Sequence, residues 1–422
     1  MKKSKRHFLK TLLASSLFPL FSKAETMVNY MPDKMLEKNP NDFWLMVRNE
    51  YDLPKQFINL ENGYYSMCAK PVMQSYLNDI RMVNTEASHY MRTVQFSNKK
   101  KVLIKLANFL GCSEEELIIT RNTTESLDTI ISGYPWEKGD EAIMAEQDYG
   151  SMLDMFAQVS KRHQVVCKKI SIPLNPQNDE EIVSLYENAI TPKTKLIMVC
   201  HMMNITGQIL PIQKITEMAH KKGVEVMVDG AHAIAHFQFD LNSLNCDYYG
   251  SSLHKWLGVP IGAGILYVKK KNIEKIWPMF GEAAFPINAI EKLNHTGTHP
   301  VATDLAISHA IDFHQFIGSK RKEERLRFLQ NYWISKVRGV GNVRINTPDD
   351  PARSCGIANI GIDGYTPAEL AKTLMDKYKI WTVAIDTANV HGVRVTPHIY
   401  TTTDELNQFV KAIIELALQK KN

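Results

Sequence analysis

The sequence predicts an α/β fold, with a mostly parallel central sheet, helices on both of its faces, and a small α+β domain at the C-terminus. Apolar, strand-like runs alternate with helical patterns through residues 116–268, which is typical of strand–helix–strand units. After Lys275 the pattern changes, and short strands and helices follow over residues 340–420. We therefore expect a lead-in at 25–60, a large domain at 61–318 and a small domain at 319–422.

Composition narrows the class of protein. The chain has 422 residues, of which 44% are apolar and 23% charged, enough for a substantial core. The net charge of +5 is small for this length, so a nucleic-acid surface is not indicated. No segment after the N-terminus has about 18 uninterrupted apolar residues, so no membrane span is expected. The six cysteines show no C-x-x-C spacing, so no metal site is expected.

Residues 1–24 have the pattern of a signal peptide. A basic start that includes Lys5 and Arg6 precedes an apolar stretch, Thr11 to Phe21, and small residues flank a cleavage site at Ala24. The segment around Lys5-Arg6 resembles a twin-arginine signal in which lysine replaces the first arginine. We expect export to a bacterial periplasm. The alternative is an amphipathic N-terminal helix.

The most informative stretch runs from Val224 to Tyr267. An apolar run ends on Asp229, which reads as a buried parallel strand whose terminal acid lies where open α/β sheets bind ligands. Lys255 follows in a compact Ser-x-His-Lys turn. Alone, Asp229 could cap a helix and Lys255 could be a surface lysine. Together they are what pyridoxal phosphate requires: an amine for the Schiff base and an acid that keeps the pyridine nitrogen protonated.

With these residues the chain resembles the class V aminotransferase family of fold-type I pyridoxal phosphate enzymes, which includes isopenicillin N epimerase-like proteins and cysteine desulfurases. The resemblance covers roughly residues 45–418, and the string HGVRVTPHIYTTTDEL is most similar to the epimerase-like branch. It implies pyridoxal 5'-phosphate as cofactor, an amino-acid-like small-molecule substrate, and a homodimer with shared active sites.

The resemblance also implies which residues hold the phosphate. The strand Glu116 to Thr120 runs into a helix at Thr123 and Thr124, where free backbone N–H groups favour an anion. An ordinary capped helix, with Thr123 or Thr124 as the cap, is the alternative. Ser252 and His254 resemble the phosphate ligands beside the lysine. Thr298 resembles a turn residue that reaches the phosphate of the neighbouring subunit, although alone it reads as part of a polar loop.

Four further residues take roles from the resemblance. Tyr149 is expected over the cofactor face, Asn204 near the ring oxygen, and His232 near the ring oxygen or the Schiff base. Arg394 is expected to bind the substrate α-carboxylate, which a guanidinium matches bidentately. The alternatives are a core or turn tyrosine, a loop asparagine and a surface salt-bridge arginine.

The expected reaction begins at the α-amino group of an amino acid or peptide-like substrate, through an external aldimine and loss of the α-proton, with Lys255 as proton shuttle. Transamination and epimerisation both follow from this and rank above a lyase reaction. A desulfurase would need a loop cysteine shortly before Arg394, and none lies between Thr382 and Arg394. A non-catalytic binding protein would be favoured by loss of Lys255 or Asp229, and both are present.

Overall fold

The computed structural model describes residues 40–419. The predicted signal peptide, 1–24, and the lead-in as far as residue 39 lie outside the described residues. The helices are α1 Pro40–Asn49, α2 Lys70–Thr93, α3 Gln95–Leu110, α4 Thr123–Gly133, α5 Gly150–His163, α6 Asp179–Ala189, α7 Ile212–Lys221, α8 Leu241–Leu244, α9 Lys270–Ile273, α10 Val301–Ile317, α11 Ser319–Val337, α12 Pro367–Tyr378 and α13 Thr403–Leu418. The strands are β1 Ile58–Asn59, β2 Leu117–Thr120, β3 Glu141–Ala145, β4 Val166–Ile170, β5 Thr194–Cys200, β6 Glu225–Asp229, β7 Tyr248–Ser252, β8 Gly264–Val268, β9 Val343–Ile345, β10 Ala358–Ile362, β11 Ile380–Trp381, β12 Val383–Thr387 and β13 Val390–Val395.

The central sheet has seven strands in the order β2-β8-β7-β6-β5-β3-β4. Strands β3 to β7 pair in parallel, which confirms the predicted mostly parallel sheet. Strand β8 runs antiparallel to both β7 and β2. The connection from β7 to β8 contains no crossover helix, and a strand that returns by a loop pairs antiparallel.

Side-chain alternation along the strands builds a core on each face of this sheet. Ile197, Val199 and Val228 belong to one buried cluster, whereas Met198 and Met227 belong to the cluster on the other face. Successive residues of a strand point to opposite faces, so an unbroken apolar run serves both cores. This explains why these strands read as continuously hydrophobic.

The C-terminal region forms an antiparallel sheet in the order β12-β13-β10-β9, with a core of its own around Trp333 and Phe409. Strand β1 pairs in parallel with β11, and Leu60 is buried in this C-terminal core. The segment just before the large domain is therefore attached to the small-domain core, a contact that the sequence pattern did not predict.

All six cysteines are free thiols. Within residues 40–419, no helix has the length and hydropathy needed to cross a membrane. The same part of the chain holds no group of three or more His, Cys, Asp or Glu side chains placed to bind a metal.

Candidate active site

A cavity of about 270 Å³ lies at the edge of the central sheet where β5 and β6 end. Its wall combines residues from separate strand ends and from the β7–β8 loop, as expected when parallel strands present their carboxyl ends at one edge. Nine of the residues predicted from sequence line it: Thr123, Thr124, Tyr149, Asn204, Asp229, His232, Ser252, His254 and Lys255. Two predicted residues, Thr298 and Arg394, are not part of this wall.

Asp229 forms the acidic side of the cavity. It is the last residue of β6, it is 3% exposed, and its Oδ1 accepts the Ala231 N–H at 3.0 Å. Burial raises the pKa of this carboxyl, while the Ala231 N–H and Lys255 lower it in part. A cationic N–H of a ligand, placed against the carboxylate, would stabilise its charged form.

Lys255 lies beside His232, with 3.2 Å between the lysine Nζ and the histidine Nε2. Burial lowers the pKa of Lys255 to about 8, since desolvation outweighs the attraction of Asp229. Burial likewise lowers the pKa of His232 well below its ordinary range, and Lys255 adds to the effect. A lysine with a depressed pKa has a larger fraction of free amine near neutral pH, which is the form that attacks an aldehyde.

Two hydroxyl groups of the cavity wall, those of Thr123 and Ser252, lie together at the start of α4. The Ser252 Oγ accepts the Thr123 backbone N–H at 2.9 Å and lies 2.7 Å from the Thr123 Oγ1. The helix cap is Asn122, whose side chain accepts the Glu125 N–H at 2.8 Å. The alternative in which Thr123 or Thr124 caps the helix is therefore wrong, and Thr123 is paired with Ser252 instead.

Glycine at position 264 allows this arrangement to form. A Cβ added there would lie 2.7 Å from the Asn122 Cα, too close for any side chain. The backbone of β8 can thus pack directly against the turn that begins α4. The hydroxyls of Thr123 and Ser252 meet because of this contact.

His254 also lines the cavity. Its Nδ1 lies 3.2 Å from the Ala263 carbonyl oxygen, so this nitrogen carries the proton and donates. Burial, with a smaller contribution from Lys255, lowers the pKa of His254 to about 4. A phosphate group near Nε2 would oppose this shift, because a dianion stabilises the imidazolium.

Tyr149 and Asn204 occupy the remaining wall. Tyr149 is the N-cap residue of α5 and is 38% exposed, so its ring is available to a ligand. The Asn204 side-chain oxygen is buried and has no hydrogen-bond partner among residues 40–419. A buried polar atom without a partner is costly, and a ligand donor would remove that cost.

Arg394 lies behind this wall in a buried ion pair. It is 0% exposed, and its Nε and Nη2 contact the two Glu61 carboxylate oxygens at 2.9 and 2.6 Å. Its Nη1 donates to the Asn204 carbonyl at 3.1 Å, and its Cζ lies 3.8 Å from the centre of the Tyr64 ring. The surface salt-bridge alternative is wrong, because the ion pair is fully buried.

Thr298 lies on an exposed loop of this single chain, so its predicted contact with a neighbouring subunit stays a prediction. Glu61 and Tyr64 were missed as site residues, although both contact Arg394. Glu61 is separated from Arg394 by 333 residues, and no local sequence pattern predicts that ion pair.

These residues fit pyridoxal phosphate. The cavity wall holds an acid for the pyridine nitrogen, hydroxyls and a helix N-terminus for the phosphate, and a lysine amine for the aldehyde. The unpartnered Asn204 oxygen adds a buried acceptor that a ligand can satisfy. It is the chemical type of these side chains that matches the cofactor.

Comparison with known proteins supports the same fold and the same cofactor. Isopenicillin N epimerase of Amycolatopsis lactamdurans is 26% identical over 396 residues, which is 89% of this chain and 98% of that protein. The fold matches cysteine desulfurase of Thermococcus onnurineus NA1 with a TM-score of 0.78 at 20% identity, over 90% of this chain and 98% of that one. It also matches a C-DES mutant with glycine covalently linked to its PLP cofactor, with a TM-score of 0.80 at 18% identity, over 87% of this chain and 99% of that one.

These likenesses confirm the fold-type I architecture. The family model described as aminotransferase class-V matches residues 66–410. Since that match spans well over half of the 422 residues, the chain belongs to the aminotransferase class-V family.

Proposed function

We propose that this chain is a pyridoxal-phosphate-dependent enzyme that acts on the α-amino group of an amino acid or peptide-like substrate, as an aminotransferase or an epimerase. One observation carries the proposal: Lys255 and Asp229 line the same cavity as the paired hydroxyls of Thr123 and Ser252. Membership of the class-V family and the epimerase relative support it.

Different residues of the chain have different roles in the proposed reaction. When bound, the cofactor supplies an electron sink for the α-carbon. Asp229 accepts the pyridine N–H, Thr123 and Ser252 hold the phosphate, and Lys255 removes and returns the substrate α-proton. The depressed pKa of Lys255, about 8, suits a group that must act as a base near neutral pH.

A desulfurase-type lyase is disfavoured by the positions of the thiols. Cys355 is 0% exposed, and its Sγ lies 3.8 Å from the His236 carbonyl, away from the cavity. Cys200 does line the cavity, but burial raises its pKa well above the usual range, so it is a poor source of thiolate. Neither cysteine has the properties of a mobile sulfur acceptor.

Arg394 is our candidate for the substrate carboxylate. Glu61 accepts one N–H from Nε and one from Nη2, and the Asn204 carbonyl accepts one from Nη1. One N–H therefore remains on each of the two terminal nitrogens. These two can bind a carboxylate in a bidentate way. Arg394 is 0% exposed, so substrate contact requires a rearrangement around the guanidinium, and we expect the Tyr64 ring, 3.8 Å from its Cζ, to move in it.

The test is a product assay on protein purified with pyridoxal phosphate. L- and D-amino acids are supplied with and without a keto-acid acceptor, and both keto products and inverted enantiomers are measured. An aminotransferase turns over repeatedly only with the acceptor, since without it the amino group stays on the cofactor after a single half-reaction, and an epimerase yields the opposite enantiomer without the acceptor. Sulfide or alanine released from cysteine would instead support a lyase, and no Lys255-dependent product with any substrate would favour a binding protein.

We also propose export to the bacterial periplasm, supported by the basic and apolar pattern of residues 1–24. Cell fractionation of the full-length protein tests this. Replacing Lys5 and Arg6 together by glutamine should leave the protein in the cytoplasm if the twin-arginine route is used. Periplasmic protein in that variant would contradict the route.

A further inference from the structure

Trp256, the residue after the reactive lysine, contacts the histidine that the lysine also contacts. Its indole Nε1 donates to the His232 Nδ1 at 3.2 Å, while the His232 Nε2 lies 3.2 Å from the Lys255 Nζ. The three side chains therefore form a continuous chain of two hydrogen bonds, with the imidazole in the middle.

The direction of both hydrogen bonds follows from the donors available. An indole nitrogen can only donate, so the His232 Nδ1 must accept. Burial lowers the pKa of His232 well below its usual range, so the ring is neutral and its single proton is on Nε2. Nε2–H then points at Lys255, and the lysine nitrogen must accept, which only a neutral amine can do.

We propose that Trp256 is a positioning residue whose indole N–H holds His232 in its Nε2–H tautomer, so that His232 donates to Lys255 and favours the neutral form of this amine. The proposal rests on Lys255 being the reactive amine of the proposed function. It concerns the chain before any cofactor is attached. Trp256 touches neither the substrate nor the reacting atoms in this account.

The indole is held firmly enough to impose this direction. Trp256 is 1% exposed, and the His236 ring stacks on it with centroids 3.6 Å apart. His398 lies nearly parallel to it at 5.7 Å, and the buried Lys322 donates to the Trp256 backbone carbonyl. Ring and backbone are thus both fixed, so the N–H cannot turn away from His232.

His236 shows how a different donor yields the opposite tautomer. The Gly356 N–H donates to the His236 Nε2 at 2.7 Å, so His236 carries its proton on Nδ1 and donates to the His232 carbonyl at 2.8 Å. Two buried neutral histidines four residues apart therefore hold their protons on different nitrogens. In each, a fixed N–H of another residue selects the tautomer.

Several charged groups also act on this pair. Those that face Lys255 are Asp229, Arg394, Cys200 and Glu61, and those that face His232 are Lys255, Arg394, His236 and His254. Asp229 favours the charged lysine, whereas Arg394 opposes it. Trp256→Phe removes none of these charged groups and keeps an aromatic ring beside His236, so a change in the pKa of Lys255 can be assigned to the lost indole N–H.

The experiment measures the lysine amine directly in protein freed of cofactor. Competitive acetylation across pH 6–11, followed by mass spectrometry of the peptide that contains Lys255, yields the pKa of this amine. In Trp256→Phe the imidazole can move its proton to Nδ1 and accept from the ammonium. We expect the midpoint for Lys255 to rise by about 1 unit or more, since a hydrogen bond accepted from the charged form favours that form.

Trp333→Phe is the matched control. Trp333 is also fully buried, but it lies in the small-domain core and its Nε1 has no partner among residues 40–419. This variant loses the same atoms and should leave the Lys255 midpoint unchanged. A midpoint in Trp256→Phe equal to that of the wild type would overturn the proposal.

A second measurement needs no variant of Trp256 to fold. ¹⁵N-histidine NMR of the wild-type protein without cofactor reports which ring nitrogen is protonated, and His232→Gln assigns the signal by its disappearance. Protonation on Nε2 supports the proposal, and protonation on Nδ1 overturns it. Neither measurement requires cofactor attachment, so failure of the proposed function, seen as no Lys255-dependent product, is a separate result.

Discussion

The two halves of the candidate site differ in how their polar groups are satisfied. The cofactor half, with Lys255, Asp229 and Asn204, opens into the cavity and keeps a buried oxygen without a partner. The carboxylate half, around Arg394, is closed by Glu61 and covered by Tyr64. The polar groups of the cofactor half face the cavity, whereas the charge of Arg394 in the carboxylate half is neutralised by Glu61. Under the proposed role of Arg394, substrate entry, rather than cofactor binding, is the step that must rearrange the chain.

Glu61 explains why the closed half is stable. Its Oε1 accepts the N–H groups of Gly63 and Tyr64 at 2.9 Å, in addition to the Arg394 Nη2. Neighbouring Asn62 also donates to Thr396, from its backbone N–H to Oγ1 at 2.6 Å and from its side chain to the carbonyl at 2.8 Å. The turn at 61–64 is thereby attached to the small domain, and a movement of Tyr64 alone disturbs less than a movement of Glu61.

The largest expected effect breaks the cofactor half. Lys255→Ala removes the amine that attaches the cofactor and moves the α-proton, so product formation should fall by on the order of 10²–10⁴-fold or become undetectable. The visible absorbance of the cofactor bound to Lys255 should disappear, while denaturant unfolding should show a folded protein. A retained absorption band would remove Lys255 from the role assigned to it.

The next largest effect is expected in the carboxylate half, and it is a loss of folding stability. Arg394→Met leaves the Glu61 carboxylate buried without its cation, which should lower the free energy of unfolding by about 3–5 kcal/mol. The double variant Glu61→Gln with Arg394→Met should recover part of this loss. Urea denaturation measures both. Arg344→Met, in an exposed ion pair of the same domain, is the control and should change stability by less than ~1 kcal/mol.

If the single and double variants at 61 and 394 are equally unstable, the closed half is not held by the ion pair. If the variants fold, Arg394→Met should also raise KM more than it lowers kcat, because it removes ground-state binding of the substrate carboxylate.

A smaller effect concerns Lys322, a buried lysine that donates to a backbone carbonyl, whereas the buried Arg394 is paired with a carboxylate. Lys322 donates to the Trp256 carbonyl, and burial lowers its pKa to about 7 from 10.5. Between these values the unfolded chain binds the extra proton, so this group makes stability rise with pH from about 7 to 10.5. Lys322→Met should reduce the slope by up to ~1.4 kcal/mol per pH unit.

Unfolding of this variant by urea at several pH values measures that slope. Lys320→Met, an exposed lysine of the same helix, should leave it unchanged. An identical slope in wild type and Lys322→Met would contradict the depressed pKa.

The smallest effect sharpens the role of Tyr64. Tyr64→Ala uncovers the guanidinium, and a contact worth ~0.5–1 kcal/mol no longer competes with the substrate, so KM for carboxylate substrates should fall about 2- to 5-fold. Tyr64→Phe keeps the ring over Arg394 and should retain the wild-type KM. A higher KM in Tyr64→Ala would mean that the ring binds substrate instead of shielding the arginine.

Local chemistry made much of this site predictable. A run of apolar residues that ends on an acid, and hydroxyls at a strand-to-helix turn, each carry their own physical reason for lying at the sheet edge. The helix cap was mistaken because Asn122 and the two threonines are all good caps, and only the backbone geometry selects among them. The antiparallel β8 was missed because strand direction depends on the connection and is not encoded in the apolar pattern.

By itself the sequence determined the fold class and the family resemblance, because strand ends and turns are short-range patterns, and the two together pointed to nine of the side chains that line one cavity. Only the tertiary structure decided the pairing of Glu61 with Arg394 and the contact of Trp256 with His232, which join residues 333 and 24 positions apart. These contacts control charge and proton position, and they depend on how two domains and a loop pack. Packing of that kind leaves no periodic signal in the chain.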